Sequence, residues 1–129
     1  MIVWVVALAA EARPVVESRG LRRAAEPATP WPLYLDAGGG EALVVSGVGR
    51  TAAAAACGWA HGRLAPTEPV AWLNAGVAGH SSGPLGRALV ADRVIDRSTG
   101  RTWYPPPLPG LTLAGDTLYT VDRPERAFA

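Results

Sequence analysis

The chain has 129 residues, 49% of them apolar and 18% charged. A chain of this size buries roughly two thirds of its unfolded surface, enough for one globular domain spanning residues 1–129. Twelve basic and eleven acidic residues leave a net charge of +1, which argues against a nucleic-acid binder or a polybasic membrane-surface protein. All the basic residues are arginine, a skew that reflects coding bias more than function.

The chain opens on Ile2-Val3-Trp4-Val5-Val6. Its β-branched residues predict a buried first strand over 2–8, and the missing basic flank sets it apart from a signal peptide. Residues 9–19 predict a helix, with Pro14 placed in its first turn. The proline- and arginine-bearing stretch 20–31 reads as a loop. Residues 33–36 and 42–46 predict a strand pair around Gly38-Gly39-Gly40. An alanine-rich helix is expected over 51–64 and a strand over 70–74. A small-residue loop follows over 76–86, then a strand over 88–95. A proline-rich loop over 98–110 holds Trp103 and Tyr104, and 111–113 suggests a short strand. This order implies an α/β domain with a largely buried sheet. No apolar run reaches the roughly 18 residues that a membrane span needs. The single Cys57 cannot close an internal disulfide and suits a reducing, cytoplasmic setting.

Two glycine motifs invite specific chemistry. Gly47-Val48-Gly49-Arg50-Thr51-Ala52 has the spacing of a dinucleotide fingerprint between a strand and a helix. That reading needs an acid at the end of the next strand, whereas Glu68 precedes it. A purely structural tight turn is the preferred reading of these glycines over dinucleotide binding. Gly79-His80-Ser81-Ser82-Gly83 fits the nucleophile elbow of a serine hydrolase. An elbow needs a helix after it and a later His, but Pro84 follows and the only histidines are His61 and His80. Those two histidines and Cys57 form no metal-ligand spacing, so no metal and no cofactor are expected.

A third reading joins the loops. If strands 2–8, 42–46 and 70–74 run parallel, residues 7–11, 47–50 and 74–79 converge at one sheet edge, where open α/β sheets hold ligands. Two of these segments would offer free backbone N–H groups, and Glu11 would be the one acid or base. Alternatively, Glu11 is a first-turn helix residue favoured by the dipole.

At these residues the sequence resembles the purine nucleoside phosphorylase and methylthioadenosine/S-adenosylhomocysteine nucleosidase superfamily. Ala7-Leu8-Ala9-Ala10-Glu11, Ser46-Gly47-Val48-Gly49-Arg50, Asn74-Ala75-Gly76-Val77-Ala78-Gly79, Gly86-Arg87-Ala88-Leu89-Val90-Ala91-Asp92 and Ala114-Gly115-Asp116 follow the family's motifs in order. The resemblance implies a three-layer α/β/α fold around a mixed, barrel-like sheet. It implies cleavage of a purine nucleoside's N-glycosidic bond in a homodimer, without a cofactor. Glu11 would activate water. Gly47, Gly49, Val77, Ala78 and Gly79 would hold ribose and base, Leu118 and Tyr119 would meet the purine, and Tyr104 would close over the ribose 5′ side.

The phosphorylases of this superfamily place an Arg and a Ser or Thr where Asn74 and Val77 stand here. Without that guanidinium, hydrolysis is favoured over use of phosphate; Arg13 and Arg50 are the nearby alternatives, each readable as a solvated charge. The nucleosidase serine is also replaced by Val77. The family's ribose-gripping Met-Glu pair and its general-acid Asp would lie beyond Ala129. The chain is therefore expected to be an N-terminal portion, its C-terminal part missing, with impaired turnover and some exposed apolar sheet. The competing expectation is a non-catalytic nucleoside-binding or assembly module.

Overall fold

The computed structural model describes residues 1–25 and 27–123. Among the described residues the chain is a mixed α/β protein with two helices and two sheets. It divides into two compact units, Met1–Ala78 and Gly79–Ala129.

The first unit runs β1 (Ile2–Val6), α1 (Ala9–Arg19), β2 (Arg22–Arg23), β3 (Leu33–Leu35), β4 (Glu41–Val45), α2 (Arg50–Leu64) and β5 (Ala71–Asn74). Its sheet has the order β2-β3-β4-β1-β5. β1 lies parallel to both β4 and β5, while β3 runs antiparallel to β4 and β2 to β3. A central parallel strand is covered on both faces, which is why β1 and residues 42–45 of β4 read as unbroken apolar runs. Val3, Val5, Leu33, Ala42 and Val44 form one core with Ala56 and Ala60 of α2. Val6, Leu43 and Val45 form another with Ala12 of α1 and Leu21. Side chains alternate along a strand, so the two helices cover opposite faces of the sheet. Alanines at the α2 contact let the helix backbone come close to the strands.

α1 ends at Gly20, whose φ of 65° lets its N–H turn back to Val16 O, a stop that glycine makes without a Cβ penalty. Pro14 stands inside α1, not in its first turn. The expectation is corrected because the helix starts at Ala9, so the missing N–H is one that would otherwise bond the Ala10 carbonyl. Within 20–31, Arg22–Arg23 adds a two-residue strand at the sheet edge, pairing with Leu35 and Tyr34. Short, charged edge strands of this kind resist further pairing. The β3–β4 connection is closed by Asp36, whose Oδ1 accepts the Glu41 N–H at 3.0 Å, and by Gly39 at φ 74°.

The second unit contains β6 (Val90–Asp96), β7 (Thr102–Trp103) and β8 (Gly115–Thr120), in the order β7-β6-β8. β6 is antiparallel to β7 and parallel to β8, with an irregularity between Ala91 and Arg93. The buried Asp96 builds the β6–β7 turn. Its Oδ1 accepts the Ser98 N–H at 2.9 Å and the Ser98 hydroxyl at 2.7 Å, and its Oδ2 accepts the Thr99 hydroxyl at 2.9 Å. Two expectations change here. The stretch 98–110 is not all loop, since β7 lies within it. The final strand forms at Gly115–Thr120 and not over 111–113. β8 holds the β-forming Thr117, Tyr119 and Thr120, whereas 111–113 follows the Gly110 turn at φ 76°. Neither sheet closes into a barrel among the described residues, and no helix there is long and apolar enough to cross a membrane.

Candidate active site around Glu11

The parallel register brings the carboxyl ends of β1, β4 and β5 to one edge, as the sequence pattern implies. Three backbone bonds fasten that edge. Ala75 N–H donates to Val5 O at 3.2 Å, Ser46 N–H to Val6 O at 2.8 Å, and Gly47 N–H to Ala7 O at 3.1 Å. β1 passes into α1 over only Ala7 and Leu8, and Leu8 is the N-cap. Glu11 is therefore the third helical residue, placed where a carboxylate reaches back to the cap amide. Its Oε2 accepts the Leu8 N–H at 3.0 Å. Its Oε1 accepts the Val77 N–H at 2.9 Å, from the loop after β5. The half-buried carboxylate thus ties the start of α1 to the β5 loop. Each oxygen keeps a second lone pair, with which the group is able to hold a water or a hydroxyl.

Gly76 lies against this carboxylate. A Cβ at that position would stand 3.0 Å from Oε1, 3.4 Å from Cδ and 3.6 Å from Oε2. Across the edge, the Gly47 and Gly49 turn has φ values of 83° and 103°, and Gly49 caps α2 with no side-chain cap bond. The buried Ser46 locks the turn by donating its hydroxyl to Gly47 O at 2.8 Å. The expected free N–H groups need correction at two positions. The Gly47 amide is committed to Ala7 and the Val77 amide to Glu11, as the general pairing of backbone donors requires. What Val77 offers to solvent is its side chain, 90% exposed. Ala78 beside it is exposed as well. Arg13 is paired with Glu17 at 2.9 Å.

The remaining predicted residues belong to the second unit. Gly79 is exposed. Tyr104 follows β7 and is 73% exposed. Leu118 and Tyr119 are successive residues of β8, paired with Val94 and Ile95 and so set on opposite faces of that sheet. The Arg97 guanidinium lies 4.7 Å from the Tyr119 ring centroid. The Gly79–Gly83 motif forms no nucleophile elbow. His80 Nδ1 accepts N–H bonds from Ser82 at 3.1 Å and Gly83 at 2.6 Å, and Nε2 stands 3.5 Å from Asp116 Oδ2. The imidazole's acceptor nitrogen is spent on its own loop and has no lone pair left to take a serine proton. Among the described residues no group of three His, Cys, Asp or Glu side chains is placed to hold a metal.

A second polar cluster lies at the amino end of β4. Arg19 donates to both oxygens of the buried Glu41 at 2.8 Å, and the Trp4 indole N–H donates to Oε1 at 2.6 Å. The Arg19 hydrogen bond, aided by that of Trp4, holds the Glu41 carboxyl below the usual range. The three donors on this buried carboxylate are structural partners that tie β1, α1 and β4 together, so the cluster is read as a fastening. Burial pushes the half-buried Cys57 thiol up, which leaves it a poor nucleophile.

Sequence reasoning found Glu11 and Val77 but not the roles of Leu8 and Gly76 in holding the carboxylate. Leu8 acts through its backbone, which side-chain chemistry does not announce. Gly76 carries a signal in hindsight, as a glycine two residues past a strand end where another backbone or side chain draws close. No protein-family model and no curated protein matches the chain.

Proposed function

We propose that this chain carries part or all of the site of a purine nucleosidase, which hydrolyses an N-glycosidic bond. The observation that supports this most is the Glu11 carboxylate, held by two backbone amides at the carboxyl edge of three parallel strands. A carboxylate fixed there is suited to orient a water toward a ribose C1′ as oxocarbenium character develops, and its charge would favour that state. Within the first unit, the Gly47–Gly49 turn and the Val77-Ala78 segment would flank ribose and base. Hydrolysis is preferred over phosphorolysis because Asn74 and Val77 supply no guanidinium and Arg13 is committed to Glu17. The finer architecture that goes with this reading is a three-layer α/β/α domain around a mixed, barrel-like sheet. A homodimer and a cytoplasmic location belong to the same proposal.

The test is release of free base from methylthioadenosine and from inosine, with and without phosphate. Base release is expected to be slow, and independent of phosphate. Glu11→Gln should lower it by about 10²-fold or more, the lower end of what a positioned acid–base group contributes. A strict phosphate requirement would overturn the hydrolase reading, and unchanged activity in Glu11→Gln would overturn the site.

A second reading has one observation in its favour. Both Glu11 oxygens already serve a helix cap and a loop tether, which fully explains the residue without chemistry. On that reading the chain is a nucleoside-binding or assembly module. Saturable binding of adenosine by calorimetry, with no base release under the same conditions, would select it.

A further inference from the structure

Gly76 has three properties that belong together. Its φ lies outside the left-handed region, so the backbone there does not itself demand glycine. Its missing side chain faces the Glu11 carboxylate, with all three carboxylate atoms within 3.6 Å of where a Cβ would stand. The next residue, Val77, donates the amide that holds Oε1 at 2.9 Å. One short segment therefore both pulls the carboxylate in and leaves room for it to arrive. A contact of 3.0 Å is tighter than carbon and oxygen surfaces accept, so a methyl at position 76 must move either the carboxylate or the loop.

We infer that Gly76 is the positioning residue of the Glu11 site, setting where the carboxylate stands through its lack of a Cβ. The inference deepens the nucleosidase reading and rests on it for its functional consequence, but its geometry is testable alone. Ordinarily, glycine replaced by alanine at a compatible φ stabilises a protein through the unfolded chain. Here the sign should depend on Glu11. In the full chain, Gly76→Ala should lower the urea midpoint and speed exchange of the Val77 amide proton. In a Glu11→Ala background the same change should raise the midpoint or leave it unaltered, because nothing remains for the methyl to strike. Glu11→Asp, one methylene shorter, should partly rescue Gly76→Ala.

Hydrogen exchange at Val77 and Leu8 separates the two clamps. Gly76→Ala should cost Val77 at least ten-fold in protection while Leu8 keeps most of its own. If Gly76→Ala lowers the midpoint equally with and without Glu11, or leaves Val77 protection intact, the inference is overturned. If Gly76→Ala does not fold but Gly76→Ala/Glu11→Ala does, the coupling is established in its strongest form; if neither folds, the glycine is needed for other reasons and the inference falls. The base-release assay then separates the two ideas. With turnover present, Gly76→Ala should lower kcat with little change in KM. Coupled stabilities together with base release that Glu11→Gln leaves unchanged would keep Gly76 as a positioning residue and sink the nucleosidase reading.

Discussion

At the scale of single residues, the two carboxylates of the first unit that matter most are held in different ways. Glu11 takes one amide on each oxygen and keeps acceptor capacity to spare. Glu41 is buried and takes a two-pronged guanidinium and an indole. The second arrangement has a pH signature with a definite sign. Because Arg19 holds the folded-state pKa of Glu41 below its unfolded value, the unfolded chain binds more protons as the pH drops through the carboxylate range. The stability that Glu41 contributes is therefore complete above about pH 5 and lost progressively below about pH 4. Urea midpoints measured from about pH 5 downward through the carboxylate range should fall with pH, and Glu41→Gln should flatten that part of the profile. Loss of slope in Arg19→Ala as well would tie the effect to the pair. Glu11 was legible in the sequence because a carboxylate in the first turn after a strand is a recognisable placement. Glu41 was not, because the strand it opens was expected to begin at Ala42, and a buried charge announces itself only once its partner from another element is seen.

At the scale of elements, most of the first unit could be read from pattern. The helix over 9–19 is found with those bounds, and the central parallel strands follow from the apolar runs over 2–6 and 42–45. What escaped were elements too short to have a period. β2 and β7 have two residues each and exist because a longer neighbour offers them a ladder, a tertiary cause that no local pattern records. Pro14 was misjudged for a different reason, since counted from Ala9 it is the sixth helical residue and lies past the first turn. Inside α1 it leaves the Ala10 carbonyl without its helical partner and strains the turn before it. Proline costs roughly 3 kcal/mol against alanine in a helix interior, offset in part by its stiffening of the unfolded chain. Pro14→Ala should therefore stabilise the protein by about 2 kcal/mol, visible as a higher midpoint in urea and slower amide exchange along α1. A neutral result would mean that α1 is already bent there to accommodate the ring.

Across the whole molecule, burial is unevenly shared between the two units. Every buried apolar side chain among the described residues lies between Val3 and Ala60. The second unit buries Asp96 but no apolar group to the same degree, and leaves Trp103, Tyr104, Leu118 and Tyr119 exposed. Its order comes from strand ladders, the Asp96 turn, and Arg97 and Arg101 stacked over Tyr119 and Trp103. Composition could not foresee this division, because apolar residues are spread along the whole chain and only topology decides which of them are covered. The energetic consequence is unequal. Leu43, fully buried between strands and α1, should cost about 2–5 kcal/mol when cut to alanine. Leu118, 40% exposed on β8, should cost less than that, since part of its transfer energy is not gained in this fold. Native-state hydrogen exchange extends the argument from side chains to elements. Amides of β1 and β4 should exchange only through global opening, whereas those of β6 and β8 should exchange through smaller openings with lower free energy. The decisive comparison is between paired amides of β8 and of β4 at equal pH and temperature. Were β8 to exchange as slowly as β4, its apolar side chains would have to be covered in solution by a surface beyond this sheet. Leu118→Ala should then cost as much as Leu43→Ala.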